Sequence, residues 1–176
     1  AGKRPFAASY AVFSPGRNWE QIRTTIALNE QPVVIVGSHA GVSVGADGAT
    51  HQMLEDVALM RSLPNMTVVA PGDSVEAEQV ALALASHNGP SYVRLARNKT
   101  PIFLDSGEFK LTQSRVIREG SDVALFGTGT MSYQLLGAAE LLAEQGIDAE
   151  VVHFATIKPL DIEAVLASAK KCGRVV

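Results

Sequence analysis

A glycine-rich stretch that follows an apolar run carries the residue types of a polar ligand site. The sequence GSHAGVSVGADGATHQ, from Gly37 to Gln52, contains His39, Asp47 and His51. An imidazole can exchange protons near neutral pH, and a carboxylate accepts hydrogen bonds from hydroxyl groups. The glycines in between allow the backbone to approach a ligand closely. This combination predicts a site for a polar substrate.

Two common uses of such a loop do not match this one. No Gly-Lys-Ser/Thr follows it and no G-x-G-x-x-G occurs in it, so standard nucleotide binding is not predicted. His39, Asp47 and His51 could hold zinc or iron chemically, but their spacings of eight and four residues match no compact metal motif. No metal ligand is therefore assigned. Each residue alone has an ordinary explanation, such as a turn or a cap, whereas together they fit a substrate site better.

The composition limits the class of protein. The chain has 176 residues, 47% of them hydrophobic, and a formal net charge of −3 with no basic run, so nucleic acid is not an expected partner. It holds one cysteine, no apolar run of membrane-spanning length and no signal-peptide pattern. We expect no membrane contact and a cytoplasmic location.

Apolar runs of strand length alternate with stretches of helical periodicity, which is typical of an α/β fold with a parallel sheet flanked by helices. The predicted strands are 32–38, 66–71, 91–96, 122–129 and 148–154. Helix starts are predicted at Thr50 and at Asp73, which has Glu76 three residues later as in a capping box, and a helix stop at Gly173. In an open α/β sheet the glycine-rich loop would lie at the ligand-binding edge, after the strand 32–38.

The periodic pattern breaks down between residues 97 and 116, which indicates an interdomain linker. We predict a first domain at 1–100, a linker at 101–115 and a second α/β domain at 116–176. The second segment offers strand, helix, strand, helix and the opening of a further strand at 174–176, while the chain begins just before a strand. We therefore expect both domains to be incomplete and the natural protein to be longer at both ends.

The motif GADGATHQ, preceded by His39 and followed by LMRSLPNMTVVAPGD, closely resembles the central segment of transketolases. PFAASYAVF and GPSYVRLARNKTP resemble the family's pyrimidine-binding domain, and GTGTMSYQLLGAAELLAEQGIDAEVV with IKPLD resembles the start of its C-terminal domain. The resemblance covers essentially the whole chain and is strongest to the C-terminal subunit of split, two-chain transketolases. It implies a fold made of an incomplete pyrimidine-binding domain followed by the first part of a second α/β domain.

The resemblance implies a thiamine diphosphate enzyme of the pentose phosphate pathway that transfers a two-carbon ketol unit from a ketose phosphate to an aldose phosphate. Tyr10 and Phe13 would pack against the cofactor's aminopyrimidine, and His51 would be the catalytic residue that exchanges protons beside the reacting carbons. Asp47 would accept a hydrogen bond from a substrate hydroxyl. His39 and Arg97 would hold the sugar phosphate, with Arg94 as the weaker candidate. The remaining histidines, His87 and His153, are given no role.

The resemblance is incomplete in one respect. The glutamate with which the family activates the cofactor lies upstream of Gly2, outside this sequence. The family's diphosphate and Mg²⁺ are bound by another domain, so the metal ligands are expected outside this chain. We expect the chain to work with a complementary thiamine diphosphate-binding domain or subunit, in a homodimer or heterotetramer. We expect the 176-residue chain to be inactive on its own.

Other functions stay open at this point. A 2-oxo acid dehydrogenase beta subunit and a deoxyxylulose phosphate synthase use the same cofactor for other reactions. A catalytically silent partner subunit is the third alternative, because the activating glutamate is missing.

Overall fold

The secondary structure alternates along the chain, as the sequence predicts. The computed structural model describes residues 2–104, 107 and 109–176, and within them lie eight strands and five α-helices. The strands are β1 (Phe6–Tyr10), β2 (Val34–Ser38), β3 (Thr67–Val69), β4 (Ser91–Arg94), β5 (Arg115–Arg118), β6 (Val123–Gly127), β7 (Ala149–His153) and β8 (Thr156–Lys158). The helices are α1 (Trp19–Gln21, continued by a π-helical stretch Ile22–Ala27), α2 (Asp56–Ser62), α3 (Ser74–Ser86), α4 (Met131–Ala143) and α5 (Ile162–Cys172).

The first sheet has five strands in the order β1-β2-β4-β3-β8. The first four strands are parallel. Successive side chains along each strand point to opposite faces of the sheet. Ile35, Val68 and Tyr92 pack against α1 and α2 on one face, whereas Val34, Val69 and Val93 pack against α3 on the other. The prediction of a sheet flanked by helices is therefore confirmed.

The strand β8 was not predicted, and it changes the first sheet. Thr156–Lys158 comes from the late part of the chain but pairs antiparallel with β3. Ile157 within β8 and Ala155 just before it pack into the two cores of the first sheet. The two halves of the chain thus share one sheet edge and some of their core.

The second sheet has three strands in the order β5-β7-β6. β6 and β7 are parallel and pack on α4, and β5 adds an antiparallel edge strand to β7. Val175 bridges to Ala124 in parallel, as predicted for the strand that opens at 174–176. β5 begins at Arg115, where the predicted linker ends, and Leu104 within that linker is buried.

The predicted helix boundaries are confirmed in two places and wrong in one. Gly173 ends α5 with φ of 69°, and its N–H donates to Ala169. Asp73 caps α3 by accepting from the Glu76 N–H at 3.0 Å. Thr50 does not start a helix. It ends a single 3-10 turn (Gly48–Thr50), because the chain then runs into a bridge between Met53 and Gly41, and α2 begins only at Asp56.

The Asp73 carboxylate also fixes the predicted linker. It accepts from the N–H groups of Phe103 at 3.0 Å and Leu104 at 2.9 Å. Burial acts to raise the pKa of Asp73, but the backbone hydrogen bonds from Glu76, Leu104 and Phe103 outweigh it and lower that pKa below 3.8.

Among the described residues, no helix is both long and apolar enough to cross a lipid bilayer.

Candidate active site

Four aromatic and imidazole rings from three segments meet at the carboxyl ends of β1 and β2. Tyr10 is the last residue of β1 and pairs with Ser38, the last residue of β2. His39 follows Ser38 and therefore lies beside Tyr10. The ring centroids of Tyr10 and His39 lie 4.0 Å apart with a 14° angle between the planes. His51 packs edge-on to Tyr10 at 6.2 Å and to Phe13 at 5.3 Å. We call Tyr10, Phe13, His39 and His51 the ring cluster.

The backbone of the loop is closed at its base, and both of its histidines pack against Tyr10. Gly41 and Met53 exchange backbone hydrogen bonds of 2.7 and 3.3 Å, and the Gln52 side chain donates to the Val42 carbonyl at 3.2 Å. His39 itself adopts a φ of 55°, a left-handed conformation that is uncommon for a residue with a side chain. Such backbone strain persists where the surroundings hold it in place, and it often marks a functional residue.

Each histidine of the ring cluster has one ring nitrogen engaged. His51 Nδ1 lies 2.8 Å from the Thr50 hydroxyl, and His39 Nδ1 lies 3.0 Å from the Ser38 hydroxyl. The opposite nitrogen, Nε2, is therefore the atom with which each ring can face a ligand. An imidazole whose orientation is fixed in this way can transfer a proton at a defined position.

Asp47 is exposed and lies directly before the 3-10 turn Gly48–Thr50. In the part of the chain that the structure describes, its carboxylate makes no hydrogen bond or ion pair, and only its backbone carbonyl accepts from Thr50, at 3.3 Å. A carboxylate that is free in this way can accept hydrogen bonds from a ligand hydroxyl.

Arg97 connects the loop to a neighbouring cavity. Its guanidinium packs against Gly45, where a Cβ would lie 2.9 Å from Arg97 Nη1, and the φ of 101° at Gly45 favours a glycine. Arg97 also lines a cavity of about 530 Å³ together with Lys99, Thr130 and the stretch 71–74. We call this space the Arg97 cavity. Among the described residues, neither Arg97 nor Lys99 has an ion-pair partner, so the cavity presents two free cations.

Arg94, the weaker phosphate candidate, is engaged elsewhere. Its Nε lies 3.0 Å from Oδ2 of Asp56, which is fully buried and also accepts from the Tyr92 hydroxyl at 2.7 Å. Burial and the Asp56 carboxylate together raise the pKa of Tyr92. Arg94 therefore stabilises a buried carboxylate below the loop, and its Nη2 packs near Gly41. No local pattern indicates this ion pair, because Asp56 and Arg94 lie on different elements, 38 residues apart.

No metal centre is apparent in this part of the protein. Among residues 2–104, 107 and 109–176, no group of three or more His, Cys, Asp or Glu residues is arranged to hold a metal ion. The site is thus an assembly of rings, one free carboxylate and two cations, which suits a flat aromatic ligand and a phosphorylated polar one.

The chain matches two family models end to end. Residues 1–102 match the transketolase pyrimidine-binding domain, and residues 112–176 match the transketolase C-terminal domain. The chain therefore belongs to the transketolase family. The predicted resemblance is confirmed.

Individual relatives agree with this assignment. A protein provisionally named a transketolase C-terminal section, from Methanocaldococcus jannaschii, is 43% identical over 95% of this chain and 54% of its own length. The 6-deoxy-6-sulfo-D-fructose transketolase subunit SqwH of a Clostridium species is 42% identical over 99% of this chain and 55% of its own. A 1-deoxy-D-xylulose-5-phosphate synthase from Crocosphaera subtropica is 37% identical over 99% of this chain but 28% of its own.

A solved structure shares the fold closely. A split-gene transketolase, described as an inactive beta4 tetramer, superimposes with a TM-score of 0.89 at 38% identity, over 97% of this chain and 55% of that one. This confirms the predicted fold, a pyrimidine-binding domain followed by the start of a C-terminal domain. The chain spans about half the length of the relatives named as transketolase subunits or sections.

Proposed function

We propose that the intact protein is a thiamine diphosphate-dependent transketolase to which this chain contributes one wall of the active site. The observation that carries the proposal is the ring cluster, with its loop packed against a free arginine. Family membership supports the class of reaction. The geometry supports the division of the site into a flat, aromatic part and a cationic part.

The ring cluster fits the aminopyrimidine of the cofactor. Tyr10 and Phe13 lie 6.1 Å apart with nearly parallel planes, 14° from one another. Because His39 covers one face of Tyr10, a flat ligand would use the other face. When bound, the cofactor would supply a nucleophilic carbon that takes up and releases a two-carbon ketol unit. Its diphosphate and Mg²⁺ would be held by a complementary domain or subunit.

The polar residues would act on the sugar. His51 is the catalytic residue of the proposal, since its Nε2 can give and take a proton at the reacting hydroxyl while Thr50 holds Nδ1. Asp47 would accept a hydrogen bond from a substrate hydroxyl. His39 and Arg97 would bind the substrate's phosphate, Arg97 through a charge-assisted pair of hydrogen bonds.

The relatives support a partner subunit and leave the sugar open. Similar chains are named as a C-terminal section and as a subunit, and the structural neighbour is a tetramer of one subunit type that is described as inactive. We therefore propose that this chain needs a complementary subunit for activity. One relative is named for a sulfonated ketose, so the terminal anion on the donor can be phosphate or another acidic group.

A ketol-transfer assay tests the proposal. The full-length protein, combined with its complementary subunit, is given xylulose 5-phosphate and ribose 5-phosphate, and in a parallel reaction pyruvate replaces the ketose. We expect ketol transfer and no reaction with pyruvate.

Use of pyruvate as the donor would instead favour a deoxyxylulose phosphate synthase or a 2-oxo acid dehydrogenase. The similarity to a 1-deoxy-D-xylulose-5-phosphate synthase supports the first of these alternatives. No reaction with either donor, from subunits that do assemble, would favour the silent partner.

A further inference from the structure

Three fully buried polar side chains connect the two halves of the chain in a row. His153 on β7 places Nε2 2.7 Å from Oε2 of Glu76 on α3, and Nδ1 2.6 Å from Oγ of Ser132 on α4. All three residues have a relative exposure of 0%. Buried polar groups are costly unless they find partners, and the two hydrogen bonds of the row offset part of that cost.

The direction of the hydrogen bonds follows from the Glu76 carboxylate. Its Oε2 accepts from the Gly72 backbone N–H at 2.7 Å, and as a carboxylate oxygen it can also accept from Nε2–H of His153. Nδ1 can then accept from the Ser132 hydroxyl. One carboxylate oxygen is thus shared between a loop amide of the first sheet and an imidazole of the second.

The row contains the residue types of a serine hydrolase triad, but it is closed to substrate. Ser132 has no exposed surface, and none of the three residues is among those that line the Arg97 cavity. A nucleophile has to reach its substrate, so we assign no covalent chemistry to Ser132. The function of the row lies in what it holds in place.

The row holds Gly72, which lies in the wall of the Arg97 cavity. A Cβ at Gly72 would lie 2.7 Å from Phe103 Cζ and 3.2 Å from His153 Cε1, so the loop is confined between the linker and the imidazole. A second link lies nearby, just before Ser132 in the sequence. The Gly129 N–H donates to the Ala70 carbonyl at 3.1 Å. The stretch 71–74 and Arg97 line the same cavity.

We infer that His153, acting through Glu76, is a positioning residue that sets the 71–74 wall of the Arg97 cavity from the C-terminal domain. This inference rests on the proposed function in so far as Arg97 binds the sugar phosphate. A small displacement of a binding wall is enough to weaken a charge-assisted contact considerably. The C-terminal domain therefore controls the affinity for phosphorylated sugars without touching them.

Steady-state kinetics of the assembled enzyme test the inference. His153→Ala should raise the KM for phosphorylated sugars by about tenfold and leave kcat and the KM for their unphosphorylated counterparts unchanged. His153→Gln, whose amide nitrogen can still donate to Glu76, should restore most of the loss. Ser132→Ala, which removes only the donor to Nδ1, should give a smaller shift in the same direction. Equal increases of KM for both kinds of sugar, or no difference between the Ala and Gln variants, would overturn the inference.

Lys158→Met is the matched control. Lys158 Nζ donates to the carbonyls of Arg61, at 2.8 Å, and Leu63, so this variant breaks another polar link between the two halves, away from the 71–74 wall. It should lower the melting temperature without changing the ratio of the two KM values. The same KM shift in Lys158→Met would show a general loosening and would contradict a positioning role.

Hydrogen exchange separates this inference from the proposed function. In the assembled protein without substrate, a peptide that contains Gly72 should exchange at least about tenfold faster in His153→Ala than in the wild type, with His153→Gln close to the wild type. If the wild type shows no ketol transfer, the proposed function fails, and the exchange rates still decide whether His153 holds the wall. Unchanged exchange in His153→Ala would overturn the inference outright.

Discussion

His39 and Tyr10 stack face to face, with ring centroids 4.0 Å apart, although 28 residues separate them in the sequence. The parallel pairing of β1 with β2 produces this contact, because Tyr10 is in register with Ser38. The stacked pair joins the two parts of the proposed site. In the proposed function, Tyr10 would face the cofactor and His39 would face the sugar phosphate.

Arg97→Ala should raise the KM for phosphorylated sugars by roughly 10- to 150-fold, since a charge-assisted hydrogen bond is worth about 1.5–3 kcal/mol. Unphosphorylated sugars should be almost unaffected, because they do not contact the guanidinium. Michaelis kinetics with matched pairs of sugars measure both effects. Equal losses for the two kinds of sugar would assign Arg97 a structural role instead.

Gly45→Ala should produce a smaller defect of the same kind as Arg97→Ala. The new methyl group would lie 2.9 Å from Arg97 Nη1, and Gly45 has a φ of 101°, so the guanidinium must move. Combining the two substitutions should add little, because both remove the same contact. Gly48→Ala is the control, since its φ of 68° is strained but its Cβ would meet open space. A strictly additive double mutant would show that Gly45 does not act through Arg97.

Asp47→Ala should reduce the preference for aldehydes that carry a 2-hydroxyl by about tenfold, because the site loses its acceptor for that group. Asp47→Asn keeps one acceptor oxygen and should lose less. The ratio of kcat/KM for 2-hydroxy and 2-deoxy acceptors is the quantity to measure. If the ratio stays the same in Asp47→Ala, the carboxylate does not read this hydroxyl.

The sequence predicted the strands and helix ends around this site better than the contacts between distant elements. The strand before the loop, the Asp73 cap and the Gly173 stop all depend on local patterns, and each is confirmed. β8 has only three residues and no alternating pattern of its own, so nothing local marks its pairing with β3. Short strands that pair across domains are determined by tertiary packing.

The roles of charged residues show the same limit. Arg94 and Arg97 lie close together in the sequence, which ranks Arg94 as the weaker phosphate candidate but does not reveal its ion pair with the buried Asp56. The hydrogen bond between His153 and Glu76 could not be predicted from the sequence, since the two residues are 77 positions apart. Contacts between distant side chains follow from the tertiary structure and not from spacing along the chain. The domain boundaries at 100 and 115 and the roles of the six proposed site residues stay predictions.

Asp73→Asn should destabilise the protein by about 2–3 kcal/mol at pH 7, since two N–H donors of the linker and one of α3 lose a charged acceptor. The folded-state pKa of Asp73 lies below 3.8, so its contribution is present above that pH and is lost as the pH falls through the folded-state pKa. The difference in unfolding free energy between wild type and variant should therefore narrow below about pH 4. A difference that stays constant with pH would show that the charge of Asp73 does not contribute.

The affinity of the 176-residue chain for thiamine diphosphate tests most directly the claim that this chain carries only one wall of a cofactor site. The diphosphate contacts, which are the charged ones, are proposed to lie on a complementary subunit. Titration calorimetry in the presence of Mg²⁺ should give a Kd no tighter than about millimolar, or roughly 4 kcal/mol, for the chain alone. Addition of the complementary subunit should bring it to the micromolar range. Micromolar binding by this chain alone would contradict the claim, because it would mean that the whole cofactor site lies within these residues.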